Sequence, residues 1–204
     1  MGALLISIIV VVLIIVLFLL NFYRDPERKI PIGNNIVSPA DGRVLKILKT
    51  NNNKIKINKG SLGKIETLTR DIAKECYVIS IFMSPFDVHV NRAPIEGEIG
   101  SIKYKKGKYF AAYNLKKSLM NEKNEIIIKN KIIGKIKMIQ IAGFLARRII
   151  CSVNINDKVN KGQRIGKIVL GSQVTLILPS KKIKLKIKKN QKVVGGETVV
   201  AILR

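Results

Sequence analysis

Residues 3–20 form an apolar stretch that contains no charged side chain and only one polar residue, Ser7. A helix of this length spans about 27 Å, close to the hydrocarbon thickness of a bilayer. A signal peptide would instead show a basic start, a shorter apolar core and a small-residue cleavage site. None of these is visible in residues 1–23. The stretch therefore predicts a retained N-terminal transmembrane helix, with residues 1–23 as the membrane anchor.

The first charged side chain is Arg24, and Arg28 and Lys29 follow closely. An excess of Lys and Arg marks the cytoplasmic side of a transmembrane helix. We therefore expect a protein of the cell membrane, with a basic linker at residues 24–35 and the body of the chain on the cytoplasmic side.

The net charge of +25 comes from 38 basic and 13 acidic residues, and all of it lies after the anchor. Such a charge attracts polyanions. Nucleic-acid modules usually interleave aromatic with basic residues, and this chain has no Trp and few Tyr or Phe. We therefore expect an anionic membrane surface as a partner, and no nucleic acid. Compositional drift towards Lys, Ile and Asn on solvated faces is an alternative origin of the charge.

The remainder of the chain consists largely of short Ile- and Val-rich runs separated by Gly, Asn, Asp and Pro, a pattern typical of strands. Residues 183–188 alternate Ile or Leu with Lys, which predicts a strand with one buried and one wet face. Residues 109–119 are open to either a helix or a loop. The fold class is therefore mainly β, with strands predicted at residues 36–37, 44–48, 55–57, 77–82, 126–128, 132–141, 148–153, 164–170, 174–178, 183–187 and 199–203.

Residues 156–168 (NDKVNKGQRIGKI) resemble residues 190–202 (NQKVVGGETVVAI), 34 positions later. Each copy indicates a polar turn, a glycine-containing turn and a buried strand. The pattern resembles the halves of biotinyl and lipoyl carrier domains, which present a modified lysine at a hairpin tip. Here Leu-Gly-Ser-Gln, residues 170–173, lies between the copies instead. We therefore predict a barrel-sandwich, lipoyl-like β body without the carrier function.

Cys76 and Cys151 both lie in apolar runs, so buried, inert thiols are expected for them. Nothing indicates a disulfide framework, which agrees with a reducing compartment. His89 is the only histidine, and the cysteines do not have the spacing of metal ligands. No metal is predicted.

Gly171-Ser172 by itself would indicate only a turn or bulge between strands. Its surroundings resemble the short form of the phosphatidylserine decarboxylase proenzymes, and this resemblance covers nearly all of the chain. The matching motifs occur in the family's order: FYRDPER at 22–28, VSPADGRV at 37–44, FMSPFDVHVNRAP at 82–94, QIAG at 140–143 with ARRI at 146–149, and LGS at 170–172.

The resemblance implies autocatalytic cleavage at Gly171-Ser172, in which the serine hydroxyl attacks the preceding carbonyl and Ser172 becomes a covalent pyruvoyl cofactor. That carbonyl then forms a Schiff base with the substrate amine and serves as the electron sink for decarboxylation. Gly171 leaves room for the attack. His89 and Asp41 are the natural base and orienting carboxylate, and His89 is also the best candidate for the proton donor.

Longer members of the family often carry a second histidine in the pattern Asp-x-His-x-x-His-x-Pro. Here Arg92 stands at that position, after Asp87 and His89. Two alternatives remain: His89 serves both cleavage and decarboxylation, or Arg92 supports the site while another base acts. Arginine stays protonated and is itself a poor base.

The resemblance implies a decarboxylase domain at residues 36–204 that is cleaved into two associated chains, 1–171 and 172–204. The substrate is expected to be a membrane phospholipid, phosphatidylserine or archaetidylserine, and the oligomeric state is open. The rival function is a membrane-tethered, lipoyl-like adaptor that never cleaves. Such adaptors normally add a long helical hairpin, and no heptad stretch is visible.

Overall fold

The computed structural model describes residues 2–51, 54–58, 64–106, 122–143, 148–169 and 172–204, so the segment 109–119 lies outside the described residues. The predicted apolar helix is present as α1 (Gly2–Phe22). It is the one helix in the described part of the chain that is long and apolar enough to cross a membrane. Its side chains are exposed along its length, but Phe22 at its end is buried against the body.

The rest of the described chain is mainly β, as predicted. The strands are β1 (Asn35–Val37), β2 (Gly42–Thr50), β3 (Lys54–Asn58), β4 (Lys64–Leu68), β5 (Cys76–Met83), β6 (Val90–Arg92), β7 (Gly97–Lys105), β8 (Lys123–Asn130), β9 (Gly134–Ala142), β10 (Arg148–Cys151), β11 (Lys158–Val159), β12 (Arg164–Val169), β13 (Ser172–Pro179), β14 (Ile183–Leu185), β15 (Lys192–Val193) and β16 (Val199–Leu203).

The sequence prediction missed several strands, most clearly β4, β6 and β7. Strand β7 contains Gly97 and Gly100, which weaken the strand signal. The alternation at 183–188 is confirmed by burial of Ile183 and Ile187 between exposed lysines, although β14 itself ends earlier. The expectation of two buried thiols was half wrong, because Cys76 is buried but Cys151 is exposed.

An eight-stranded antiparallel sheet, in the order β11-β7-β8-β9-β13-β5-β2-β15, forms the centre of the body. Two three-stranded sheets, β1-β16-β14 and β10-β12-β6, accompany it, and β3 and β4 form a separate hairpin. The main core draws side chains from all three larger sheets, including Ile36, Ile81, Ile126 and Ile165. A second, smaller cluster contains Cys76, Ile139 and Ile177.

The two sequence copies adopt the same backbone. Asn156 and Asn190 both have positive φ, at 73° and 67°, and Gly162 and Gly196 match at 81° and 82°. Each asparagine N–H donates to a carbonyl of the central sheet, Asn156 to Ile99 at 2.8 Å and Asn190 to Val44 at 2.7 Å. The offset of 34 residues between the copies therefore applies from the asparagines to the glycines.

In the following strands the offset becomes 35, because one more residue separates Gly196 from β16 than separates Gly162 from β12. Lys167 and Ile202 then occupy equivalent register positions, opposite Val90 and Asn35. Both strand pairs also contain a register shift at the equivalent place.

The duplication extends to the strands that pair with these copies. Residues 37–44 correspond to residues 92–99 at an offset of 55, and the two segments meet reciprocally. The N–H of Val37 donates to the carbonyl of Pro94, and the N–H of Arg92 donates to the carbonyl of Pro39, each at 2.9 Å. The body therefore contains two similar units that contact each other reciprocally, and we call them its two halves.

Residues 23–34, which we call the strap, connect α1 to β1 and lie along both halves. The side chain of Ile30 contacts the two equivalent glycines: a Cβ on Gly162 would overlap with its Cδ1, and one on Gly196 would lie 3.1 Å from it. Both glycines have left-handed φ values that other residues rarely adopt. The absence of side chains there is what allows the strap to cross the body so closely.

Candidate active site

Ser172 is the first residue of β13, a strand in the interior of the eight-stranded sheet. Its backbone is in register with Met83 of β5 on one side and with Ala142 of β9 on the other. Gly171, the other half of the predicted cleavage site, lies outside the described residues. Because β13 is paired on both sides, the position of Ser172 along the sheet is set by two neighbouring strands.

His89 lies at the end of the short loop that follows β5. The carboxylate of Asp87 organises this loop by accepting hydrogen bonds at 2.8 Å from the N–H and from the hydroxyl of Ser84. The Nδ1 atom of His89 lies 2.8 Å from the carbonyl oxygen of Asp87. Since a carbonyl can only accept, this contact requires the proton on Nδ1, and the lone pair of a neutral ring is then on Nε2.

The imidazole of His89 is buried, with only 3% of its surface exposed, and its Nε2 atom has no hydrogen-bond partner among the described residues. The Phe22 ring at the end of α1 packs against it, with ring centroids 4.3 Å apart. Burial lowers the pKa of His89 below its ordinary 6.5, and the contact with the Asp87 carbonyl only partly opposes this effect. His89 is therefore a neutral ring with a basic nitrogen that no described group occupies.

A cavity of about 360 Å³ lies beside His89, at the end of the apolar helix. Its wall consists of the start of the strap, the residues around His89 and strand β12, namely Phe22, Tyr23, Arg24, Asp25, His89, Val90, Ser152, Arg164, Gly166, Lys167, Ile168 and Val169. Ser172 follows Val169 by three residues, so their Cα atoms lie within about 11 Å of each other. The wall of the cavity thus contains His89 and, at Val169, the residue three positions before the start of β13.

Asp41 occupies a different position from the one expected of a direct partner for His89. Its carboxylate accepts two hydrogen bonds from Arg28, at 2.9 and 3.1 Å, and one from the N–H of Gly195 at 2.7 Å. No hydrogen bond joins Asp41 to His89 in the described part of the chain. The structure shows Asp41 holding the strap and the turn before β16.

Arg92 also binds the strap. Its guanidinium donates to the carboxylate of Asp25, to the carbonyl of Pro26 and to the carbonyl of Gly162, each at 3.0 Å. Burial is the largest cause that lowers the pKa of Arg92, and the positive charge of nearby Arg164 lowers it further. Its side chain is only 5% exposed. These contacts place Arg92 in the framework that positions the end of α1.

A chain of buried amides, which the sequence analysis did not assign, connects the sheet to the strand after His89. Asn124 donates to Gln140 at 3.0 Å, and Gln140 donates to Asn91 at 2.9 Å. Asn91 lies 3.8 Å from the sulfur of Met83, which is the register partner of Ser172. Asn91 and Gln140 lie within the recognised motifs, and the hydrogen bonds between these buried amides tie β6 to the central sheet.

Comparisons with known proteins show to which family the chain belongs. The phosphatidylserine decarboxylase family matches residues 15–201. A protein of Methanocaldococcus jannaschii assigned as an archaetidylserine decarboxylase proenzyme is 42% identical over 92% of this chain and 91% of its own length.

Two proteins named phosphatidylserine decarboxylase proenzyme show similar agreement. The one from Chlorobium phaeobacteroides is 41% identical over 91% of this chain and 79% of its own length. The one from Chlorobaculum tepidum is 40% identical over 90% of this chain and 77% of its own length. The chain therefore belongs to the phosphatidylserine decarboxylase family and is a decarboxylase.

Proposed function

We propose that the chain cleaves itself at Gly171-Ser172 and then decarboxylates the serine head group of a membrane phospholipid. The observation that carries this proposal is the free Nε2 atom of buried, neutral His89, beside a cavity that adjoins the start of β13. A neutral imidazole with an unoccupied nitrogen is suited to accept and return a proton. The curated relatives carry the matching names.

In the cleavage reaction, the hydroxyl oxygen of Ser172 attacks the carbonyl carbon of Gly171, and the hydroxyl proton goes to Nε2 of His89. The peptide nitrogen leaves as the new amine of Ser172, which gives an ester between the two residues. His89 returns its proton to that amine and, neutral again, takes the Cα proton of Ser172. The bond between Cβ of Ser172 and the ester oxygen then breaks, which releases residues 1–171 with a free carboxylate. The dehydroalanine that remains takes up water and loses ammonia, which leaves a pyruvoyl group on the chain 172–204.

The residues around Ser172 fit such a group, because His89 supplies an orphaned buried nitrogen and the adjoining cavity has space for a head group. When formed, the pyruvoyl carbonyl supplies an electron sink for the electrons released with CO2. Strands β5 and β9 hold the start of β13 from both sides. Protonated Nε2 of His89 then delivers a proton to the substrate carbon that has lost CO2.

We assign the parts of the chain as an anchor (1–23), a connecting segment (24–35) and a decarboxylase domain (36–204). The interleaving of strands supports association after cleavage, since β13 lies between β9 and β5, and β16 between β1 and β14. The cations after α1 favour a body on the cytoplasmic side. The charge of +25 favours contact with an anionic membrane surface.

The head group supplies the reacting amine and carboxylate, so the proposal covers phosphatidylserine and archaetidylserine equally. The end of α1 forms part of the cavity wall, which supports a substrate that enters from the membrane surface. The rival adaptor function is not favoured, because the relatives that match most of this chain are named as decarboxylase proenzymes.

Intact-protein mass spectrometry of the full-length chain tests the proposal. The wild-type protein should give two chains, 1–171 and 172–204, and the smaller should begin with a pyruvoyl group. Ser172→Ala should give one uncleaved chain without decarboxylase activity. Ser101→Ala is the matched control, because Gly100-Ser101 is another Gly-Ser pair within a strand, and it should process normally. Cleavage of Ser172→Ala, or a single wild-type chain, would rule out the assignment.

A further inference from the structure

The cavity beside His89 is lined by three cationic side chains and one carboxylate, which belong to Arg24, Arg164, Lys167 and Asp25. Arg164 is the cation whose charge is balanced, because it donates to Asp25 at 2.6 Å and to Glu27 at 2.7 Å. Asp25 also pairs with Arg92. The positive charges of Arg24 and Lys167 therefore remain without a carboxylate in this wall.

The contacts of Arg24 and Lys167 confirm that both charges are available. Among the described residues, Arg24 donates only to neutral oxygens, namely the backbone and side-chain carbonyls of Asn21 and the carbonyl of Phe86. The Nζ atom of Lys167 lies 5.9 Å from the centroid of the Tyr23 ring, and no carboxylate pairs with it in the described ranges. Both residues therefore retain N–H donors that no described residue accepts from.

The position of these charges in the molecule matches the position of a lipid phosphate. Arg24 and Tyr23 follow the end of the apolar helix directly, so the cavity lies where that helix would leave the membrane. The phosphate of a serine phospholipid lies between the lipid tails at the membrane and the amine and carboxylate that react. On the proposed function, those groups must reach Ser172, which follows Val169 of the same wall by three residues.

We propose that Lys167, together with Arg24, binds the phosphate of the lipid head group and so sets how the serine moiety reaches the site. This inference rests on the proposed function and names the residues that recognise its substrate. The other half of the body supports it, because Ile202 occupies the register position equivalent to Lys167. The shared strand geometry therefore does not require a cation at this position, which is what a role in ligand binding predicts.

The test uses the full-length protein in neutral detergent micelles that contain phosphatidylserine. The measurements are the KM for the lipid and the inhibition constant of glycerophosphoserine, a soluble head group. Lys167→Gln should complete self-cleavage and raise both constants roughly 10- to 100-fold, the usual effect of losing a charge-assisted hydrogen bond. Lys167→Arg, which keeps the charge, should recover most of the affinity. Lys184→Gln, an exposed lysine on β14, should change both by less than about twofold.

Three outcomes would overturn the inference. Lys167→Gln with unchanged KM and inhibition constant would remove Lys167 from binding, and an equal effect of Lys184→Gln would assign the change to general surface charge. Inhibition of the wild type by inorganic phosphate as strong as by glycerophosphoserine would indicate a bare anion site. Failure of the proposed function is distinguishable, because the wild type itself would then neither cleave nor release CO2.

Discussion

The two halves of the body share backbone conformation and register but differ in their side chains and surroundings. This difference distinguishes the half that carries the candidate site. The half formed by β6, β7, β11 and β12 carries His89 and Lys167, while the equivalent positions in the half formed by β1, β2, β15 and β16 are Asn34 and Ile202. Even the backbone contact is kept, since His89 accepts from Ile168 at 3.2 Å and Asn34 from Leu203 at 3.1 Å.

The comparison shows that equivalent backbone positions in the two halves carry different side chains in different surroundings. His89 is buried under Phe22, whereas Asn34 is exposed on the strap. In the other direction, Asp41 is held by Arg28 and Gly195, whereas the equivalent Glu96 is exposed. One half therefore carries a buried imidazole with an unpaired nitrogen and a charged cavity wall. The other half holds the strap at Asp41, while Arg92 of the first half also binds it.

The largest expected difference between the halves concerns His89 and Asn34. His89→Ala should accumulate uncleaved chain, because it removes the free Nε2 atom, and any processed enzyme should turn over about 10²–10⁴-fold more slowly. Asn34→Ala should cleave and decarboxylate normally. The measurements are intact-protein mass spectrometry and CO2 release. A His89→Ala protein that cleaves and turns over at the wild-type rate would remove His89 from the mechanism.

A smaller difference, in the free energy of unfolding, is expected between substitutions of Asp41 and of Glu96. In the uncleaved Ser172→Ala background, Asp41→Ala should lower the free energy of unfolding by about 1–3 kcal/mol, since it leaves the buried guanidinium of Arg28 without its carboxylate. Glu96→Ala should stay within about 0.5 kcal/mol of its parent. Denaturant unfolding of the full-length proteins in detergent measures both. Equal losses would show that the strap is not held specifically at Asp41.

The smallest expected effect is a shift in the pH dependence of self-cleavage, which we attribute to His89. Because burial lowers the pKa of His89, its neutral form should persist as pH falls to 6.5, and the rate of self-cleavage should decline only below that value. Phe22→Ala should expose the ring, raise its pKa and move the decline to higher pH. Cleavage of freshly translated chain across a pH series measures this. A decline already centred above pH 6.5 in the wild type would contradict the assignment of His89 as the base.

Much of the fold could be predicted from local patterns. The apolar run gave α1, Ile- and Val-rich runs gave most strands, and the repeat between 156–168 and 190–202 is confirmed as a repeat of backbone. Strands β6 and β7 were missed because a charged motif and two glycines hide their alternation. The extra residue before β16 was also hidden, since matching letters at an offset of 34 continue into strands whose register differs by one.

The candidate site, too, could be predicted from the sequence only in part. The motifs identified Ser172, His89, Asp41 and Arg92, and their catalytic roles stay predictions. They did not indicate that Asp41 and Arg92 bind the strap. Each of these contacts joins residues far apart in the chain, such as Arg92 with Asp25. A sequence motif records which residue types are present, but not which distant group each one meets.

By itself, the sequence determined the apolar anchor, the β-rich body, its internal repeat and the family, because apolar runs, alternation and ordered motifs are properties of neighbouring residues. Only the tertiary structure decided that Phe22 covers His89, that the strap crosses two glycines, and that Lys167 and Arg24 line a cavity without a carboxylate partner among the described residues. Those features depend on packing between segments from different parts of the chain. Burial and charge balance exist only once such segments have come together.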